Sequence, residues 1–438
     1  MKRRLIALVL TVLFMLAFNG LYMQGGFDIR LFIVFLTLSW LAFFKLVDYL
    51  AKLKIIENNS RIDIVFFTVV IGLMFLPMMK IDHSEISVQE NRTLAKYVPF
   101  WENGQFNFSY GRDFESWFND RFNQRKWLIN LNTKLNLFMN RKLQSEQALH
   151  GKENWLFTTR WNSVAMFENK NLFTEDELNT IAQNVAALQK WAAKHHIKLY
   201  IMLVPDKESL YGEYYPDGYQ KEGDISRLAQ LTTFLKEKTS VKIISSYEPL
   251  LAAKKDHILF YKTGTHWNHR GAYVAYRDMM GVLRTDFPDL HIMSENEFIV
   301  EPKLSADIDI ASALGVNAYD TFPKKDLTYE EFTVKTPQTQ VTHQLLNKKE
   351  RIEEYAYQST NPTLRRKAVF LADSQFLRMN WYVAESFKEM KHIYVGYGRM
   401  YDFPFVSQNI LEFKPDIFVL ETGERMLERL LKIEIPEN

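Results

Sequence analysis

Apolar residues crowd the first eighty positions of this chain, and that uneven distribution limits its fold more than any other feature. Three apolar runs occupy residues 5–23, 31–44 and 64–79, and they are followed by Arg30, Lys45 and Lys80 as the nearest basic punctuation. A helix rising 1.5 Å per residue needs roughly 20 apolar residues to cross hydrocarbon. The second and third runs fall short, so tilt and flanking residues must extend them, giving expected spans at 5–23, 29–47 and 64–80. Two other readings stay open: two spans with the third run a buried helix, or a first run that is a signal peptide. The second of these is disfavoured because two more apolar runs follow and no small-x-small cleavage site stands after Phe18.

Basic residues in short loops set the orientation of such spans. Lys2, Arg3 and Arg4 precede the first run, and Lys45, Lys52, Lys54 and Arg61 lie between the second and third, whereas residues 24–30 carry only Arg30. The expectation is a cytoplasmic N-terminus and a large domain after Lys80 on the outer side of the cell membrane. Such a domain works without cytosolic ATP or NADH, and no cofactor is expected. The whole chain carries 54 basic and 52 acidic residues for a net charge of +2, which gives no electrostatic case for nucleic acid. It has no cysteine, so disulfides, thiol catalysis and cysteine-ligated metals are excluded.

From Thr174 onward helix and strand signals alternate. Thr174 and Glu177 form a capping box, and Leu178, Ile181, Val185 and Leu188 follow at helical spacing. Residues 197–204 then read as a buried strand, 225–238 as a helix and 241–245 as the next strand. Further on, 368–372 is a short apolar strand, 376–389 a helix, 392–395 and 417–421 strands, and 424–431 a helix. Strands alternating with helices imply a three-layer α/β/α domain over 151–438 with a parallel sheet covered on both faces. Residues 81–150 are aromatic-rich and read as a helical linker. Residues 293–362 have weak periodicity and many polar residues, as an insertion or lid would.

Two places carry chemistry. In Phe370-Leu-Ala-Asp-Ser-Gln-Phe376 a serine follows a buried strand and precedes a helical pattern. That turn exposes the Ser374 hydroxyl at the carboxyl end of the sheet, where α/β proteins bind ligands. The backbone N–H of Ser374 would be the nearest oxyanion donor. The bland alternative is a helix-capping serine. In Tyr261-Lys-Thr-Gly-Thr-His-Trp-Asn-His-Arg-Gly271 a histidine, His266, lies in a polar loop ahead of a helix. A serine nucleophile needs a base of near-neutral pKa, which histidine supplies. The alternative is a surface or capping histidine. His266 and His269 stand three apart, but no third ligand is near in sequence, so no metal site is expected.

The order of motifs resembles the alginate O-acetyltransferase family of the AlgJ/AlgX type and the related DHHW proteins. The resemblance runs through Glu90-Asn-Arg-Thr-Leu-Ala-Lys96, Phe114-Glu-Ser-Trp-Phe-Asn-Asp-Arg-Phe122, Gly151-Lys-Glu-Asn-Trp-Leu-Phe157, Val204-Pro-Asp-Lys207, Thr265-His-Trp267, Ala372-Asp-Ser374 and Lys414-Pro-Asp-Ile417. It implies an SGNH-hydrolase-like domain with permuted motif order, Ser374 as nucleophile and His266 as base. It also implies transfer of acetyl groups to an exported polysaccharide, from a donor handled by a multi-span membrane O-acyltransferase. The family pattern has an aspartate two residues before the histidine, and here that position is Gly264. Asp256, Asp206 and Glu421, all near expected sheet ends, are candidates for the missing acid. Trp267, Lys207, Tyr397 and Arg399 are candidates for the cleft, and Trp101, Trp117, Trp127, Trp155 and Trp161 for stacking on sugar rings. The same residues would equally serve a carbohydrate esterase, and a domain without its acid would bind polysaccharide or partner subunits without catalysing a reaction.

Overall fold

The computed structural model describes residues 81–87, 92–102, 105–122, 131–132, 134–136, 147–347, 352–396, 401 and 403–435. The three expected spans lie outside these residues; among the described residues no helix is long and apolar enough to cross a membrane. Residues 82–438 form one compact unit.

The segment before the sheet is mixed. Ile86–Ser87 pairs with Arg92–Thr93, and Trp101–Glu102 with Gln105–Phe106. A helix, α1 (Tyr110–Arg121), follows. Its Arg121 donates to the carbonyls of Ala95, Asp82 and Ser84, tying the preceding loops to the helix. The hairpin β1 (Ala148–His150) and β2 (Leu156–Thr158) opens the domain.

Helix α2 (Glu175–Lys194) begins on the expected capping box, in which both reciprocal bonds are made. Glu175, Asp176 and Glu177 place negative charge on the positive end of its dipole. It stops at His196, whose φ of 60° lies in the left-handed region. The main sheet is built from β3 (Lys198–Val204), β4 (Lys242–Ser245), β7 (Thr339–Asn347), β8 (Ile352–Ser359), β9 (Lys367–Ala372), β10 (Glu389–Val395) and β11 (Ile417–Gly423). Two further strands, β5 (Phe298–Leu304) and β6 (Thr328–Val334), pair with each other as a separate two-stranded sheet among the described residues. Three helices complete the frame: α3 (Arg227–Lys238), α4 (His269–Arg284) and α5 (Phe403–Phe413).

The sheet order is β7-β8-β10-β9-β11-β3-β4. Strands β10, β9, β11, β3 and β4 run parallel. Strand β8 is antiparallel to both β7 and β10. The sheet is therefore mixed, where the sequence pattern predicts a parallel one. Strand β8 is buried only at Ile352, Glu354 and Tyr357, and lacks the continuous buried run of a central parallel strand. The central strands instead read as continuous apolar runs: β11 is buried at all seven positions and β3 at six of seven. Alternate side chains of these strands feed two cores. Tyr200, Met202, Phe370, Ala372 and Val419 pack toward Ala275, Tyr276, Met279 and Leu283 of α4. Leu199, Ile201, Leu203, Leu371, Phe418 and Leu420 pack toward Val185, Leu188, Leu231 and Ile410 of α2, α3 and α5. Each fully buried side chain of this size contributes about 1.5–3 kcal/mol.

The helix expected over 376–389 is replaced by short turns, Phe376–Arg378, Asn380–Val383 and Ala384–Ser386. Phe376, Met379, Tyr382, Val383, Ala384 and Phe387 are all fully buried. With apolar residues wanted on every side, no single helical stripe satisfies the segment, and packing sets its path.

The cap of α2 gives a direct check. Thr174→Ala removes the acceptor for the Glu177 N–H, and the expected loss of stability is about 1 kcal/mol in denaturant unfolding; an unchanged midpoint would show that the box contributes nothing.

Candidate functional site

Strands β9, β11 and β3 deliver their carboxyl ends side by side, and the site is built there. Ser374 is the second residue after β9, half-buried, with its turn pinned by Asp373. The Asp373 N–H donates to Glu421 Oε2 (2.8 Å), Asp373 Oδ1 accepts from the Gln375 N–H (2.9 Å), and Oδ2 accepts from the Gly423 N–H (3.1 Å). One carboxylate thereby fixes the serine turn to the end of β11.

His266 comes from the loop ahead of α4. Asn268 caps that helix by accepting from the Gly271 N–H, and its own amide donates to the Ile258 carbonyl. The loop closes on itself through the Tyr261 N–H, which donates to the His266 carbonyl (3.1 Å). Beneath it, the fully buried Lys207 ammonium donates to the carbonyls of Tyr261, Lys262 and Gly264. Burial pulls the Lys207 pKa down to about 8, with the charge of Glu208 opposing.

The two loops meet with His266 Nε2 2.8 Å from Ser374 Oγ. On its other side, His266 Nδ1 lies 2.5 Å from Asp307 Oδ2, which also accepts from the His266 backbone N–H (3.2 Å). A proton on Nδ1 is thus held by the carboxylate, and the lone pair of Nε2 faces the serine hydroxyl. Arg378, four residues beyond Ser374, places its guanidinium 3.3 Å from Asp307 Oδ1. Burial works against the imidazolium, but the Asp307 charge and hydrogen bond outweigh it and raise the His266 pKa above its ordinary value. Burial works against the Asp307 carboxylate as well, and the facing His266 overcomes it, holding that group well below the usual carboxylate range.

Gln375 locks this alignment. Its side-chain oxygen accepts from the Trp267 N–H (3.3 Å), its amide donates to the Thr265 carbonyl (3.3 Å), and its backbone carbonyl accepts from Trp267 Nε1 (2.9 Å). The residue after the serine therefore grips both neighbours of the histidine.

The other expected residues fall elsewhere. Trp267 and Lys207 are fully buried and brace the histidine loop from below, so neither lines a cleft. Asp206 is buried against Arg425, which it meets through both carboxylate oxygens. Glu421 is buried behind the serine turn, and burial raises its pKa well above the ordinary value. Asp256 is exposed beyond the helix Tyr247–Ala253. None of these three acids reaches His266; the carboxylate that does is Asp307, which no sequence motif singles out. It lies 41 residues from His266, in the segment that leaves β5. Tyr397 and Arg399 lie outside the described residues, as does Trp127. Trp117 and Trp155 are core residues, whereas Trp101 and Trp161 are exposed. His269 Nδ1 accepts from the Phe332 N–H and is structural.

Among the described residues His266, Asp307 and Asp309 can bring ligand atoms within 4.8 Å of one another. Those atoms are already committed: Nδ1 and Asp307 to each other, and the two Asp309 oxygens to the Thr265 N–H (2.9 Å) and hydroxyl (2.5 Å). A cation would have to break these bonds, so the donor set does not fit a metal. What the arrangement can do chemically is take the proton of Ser374 Oγ onto His266 while a buried carboxylate stabilises the resulting imidazolium.

Comparison with known proteins gives one family match and several similar solved structures. Residues 148–353 match the family model described as an SGNH hydrolase-like domain, acetyltransferase AlgX, a stretch that includes His266 and Asp307 and ends before Ser374. No curated protein is a recognisable relative by this comparison. Among solved structures the chain is similar to Bacillus cereus PatB1 with a sulfonyl adduct (12% identity, 67% of this chain and 99% of that one, TM-score 0.47). It is also similar to a DHHW family protein from Eubacterium siraeum (14%, 66% and 94%, 0.45) and to the O-acetyltransferase domain of Pseudomonas putida AlgJ (15%, 66% and 94%, 0.40). Residues 148–353 of the chain are thus similar to the SGNH hydrolase-like domain that this family model describes.

Proposed function

We propose that this protein is a membrane-anchored O-acetyltransferase that modifies an exported or cell-envelope polysaccharide through an acyl-enzyme on Ser374. The observation that carries the reading is the 2.8 Å approach of His266 Nε2 to Ser374 Oγ, with Nδ1 held by a buried carboxylate. The match to an acetyltransferase family supports the acyl group, and the AlgJ likeness supplies the idea of O-acetylation.

In the first half-reaction Ser374 Oγ attacks the carbonyl carbon of an acyl donor as its proton passes to His266 Nε2. The tetrahedral oxyanion would be met by the Ser374 N–H, since the Gln375 N–H is already bonded to Asp373. Collapse breaks the bond to the leaving group, which takes the proton from Nε2. In the second half-reaction a sugar hydroxyl gives its proton to Nε2 and attacks the acyl-serine; Ser374 leaves and recovers that proton. The donor side is served by a multi-span membrane O-acyltransferase partner, and the basic loops flanking the apolar runs support an outward-facing domain anchored in the cell membrane.

Three outcomes are expected. Incubation with an activated acetyl ester should leave an acetyl group that mass mapping assigns to Ser374 and that is lost in Ser374→Ala; a label on any other residue would sink the assignment, and acetyl release with no gain by added oligosaccharide would favour an esterase. The base must be neutral to accept a proton, and its pKa lies above the ordinary 6.5, so the acylation rate should climb with pH to a midpoint above about 6.5. A midpoint below that value would contradict the paired histidine. Gln375→Ala frees the histidine loop from the serine turn, and stopped-flow acylation should slow by on the order of 10²-fold. For the topology, a reporter joined after Asn438 that is active only in the cytoplasm would refute the outward orientation.

A further inference from the structure

Gly264 and Asp307 occupy one space. A methyl group built on Gly264 would fall inside van der Waals contact of Asp307 Cγ, Cβ and Oδ2, its three nearest atoms. Gly264 is not among the residues of positive φ, so backbone conformation does not demand a glycine there. Room for the Asp307 carboxylate does. That carboxylate is not loosely placed. Its Oδ2 holds the ring and the backbone N–H of His266, its Oδ1 faces Arg378, and its own carbonyl accepts from the Thr263 hydroxyl (2.8 Å). The Ala311 N–H donates to the Thr263 carbonyl, and Asp309 holds Thr265 through both oxygens, so the segment 307–311 is laced along the histidine loop from residue 263 to residue 266.

We propose that Asp307 is the positioning acid of His266 and that positions 264 and 307 are alternative origins for one carboxylate. The acid reaches the site across the chain from the segment between β5 and β6, and a glycine at 264 is the condition for its entry. This rests on the reading of Ser374 and His266 as nucleophile and base. The physical basis is a vector: a side chain rooted at 264 points into the volume that the Asp307 carboxylate fills. An aspartate at 264, with the side chain at 307 removed, is then directed at the same Nδ1. The other charges facing the histidine are Asp309 and Arg378, with Lys207 behind the loop. Asp309 cannot take over without releasing Thr265.

The test measures single-turnover acylation of the full chain by 4-nitrophenyl acetate against pH, with thermal melting as a check of folding. Asp307→Asn keeps the shape of the side chain and should cost on the order of 10⁴ in rate. It should also move the midpoint of the pH limb downward, because the imidazolium loses its counter-charge. Gly264→Ala, which removes no polar group from the site, should lower the rate by displacing the acid. In the Asp307→Gly background the same alanine should add no further loss, since nothing remains for it to displace. Gly264→Asp in the Asp307→Gly background should recover on the order of 10² of the lost rate and return the midpoint upward. The proposal is overturned if a folded Asp307→Asn acylates within about tenfold of the parent while Ser374→Ala and His266→Ala do not react. It is likewise overturned if the double variant recovers neither rate nor midpoint. Should Ser374→Ala react like the parent, the reading of the nucleophile fails instead.

Discussion

The Asp307 carboxylate is the interaction on which the rest of the site depends. It joins three segments that are remote in sequence: the histidine loop, the segment after β5, and the turns after Ser374 that carry Arg378. Burying an ion costs several kcal/mol, so it persists only where partners offset the loss of water. Here the His266 ring, the His266 backbone N–H and the Arg378 guanidinium do so, and each hydrogen bond to a charged group is worth about 1.5–3 kcal/mol. Removing any one leaves the carboxylate underpaired, which couples the geometry of His266 to the docking of all three segments.

A second layer of buried polar groups lies under the serine turn and holds the strand ends in place. Asp206 pairs with Arg425 and donates its N–H to Glu424, while Glu421 and Asp373 link β11 to β9. Burial raises the Asp206 pKa to about 6, with Arg425 opposing, and that of Glu424 to about 7. Several acids share this low-dielectric space, and the protein meets the cost by backbone hydrogen bonds and by arginines. The gain is a rigid platform that keeps Ser374 Oγ within hydrogen-bonding distance of His266 Nε2.

Much of this was legible along the chain. The capping box of α2, the strands at 198–204, 367–372 and 417–423, and the placement of Ser374 two residues past a strand all follow from local spacing and apolar content. The departures have physical causes. The polar stretch before 362 contains β7 and β8, and β8, read Ile-Glu-Glu-Tyr-Ala-Tyr-Gln-Ser, has no apolar run of the kind that marks a central strand. The segment after Ser374 is apolar on all sides, and periodicity cannot tell a buried helix from a packed series of turns. Trp267 and Lys207 belong to the quoted motifs, yet each turns inward and is fully buried, which local spacing does not reveal.

The sequence by itself determined that a serine and a histidine of the right chemistry stand at the edges of α/β elements, because strand ends and caps are written in short-range patterns. It also determined that Gly264 offers no acid, because one residue type at one position decides that. Only the tertiary structure decided which carboxylate lies against His266. Asp307 sits between weakly patterned strands, with no local signal to distinguish it from its neighbour Asp309. Its role arises from the paired β5 and β6, which bring position 307 to the space that a glycine leaves open.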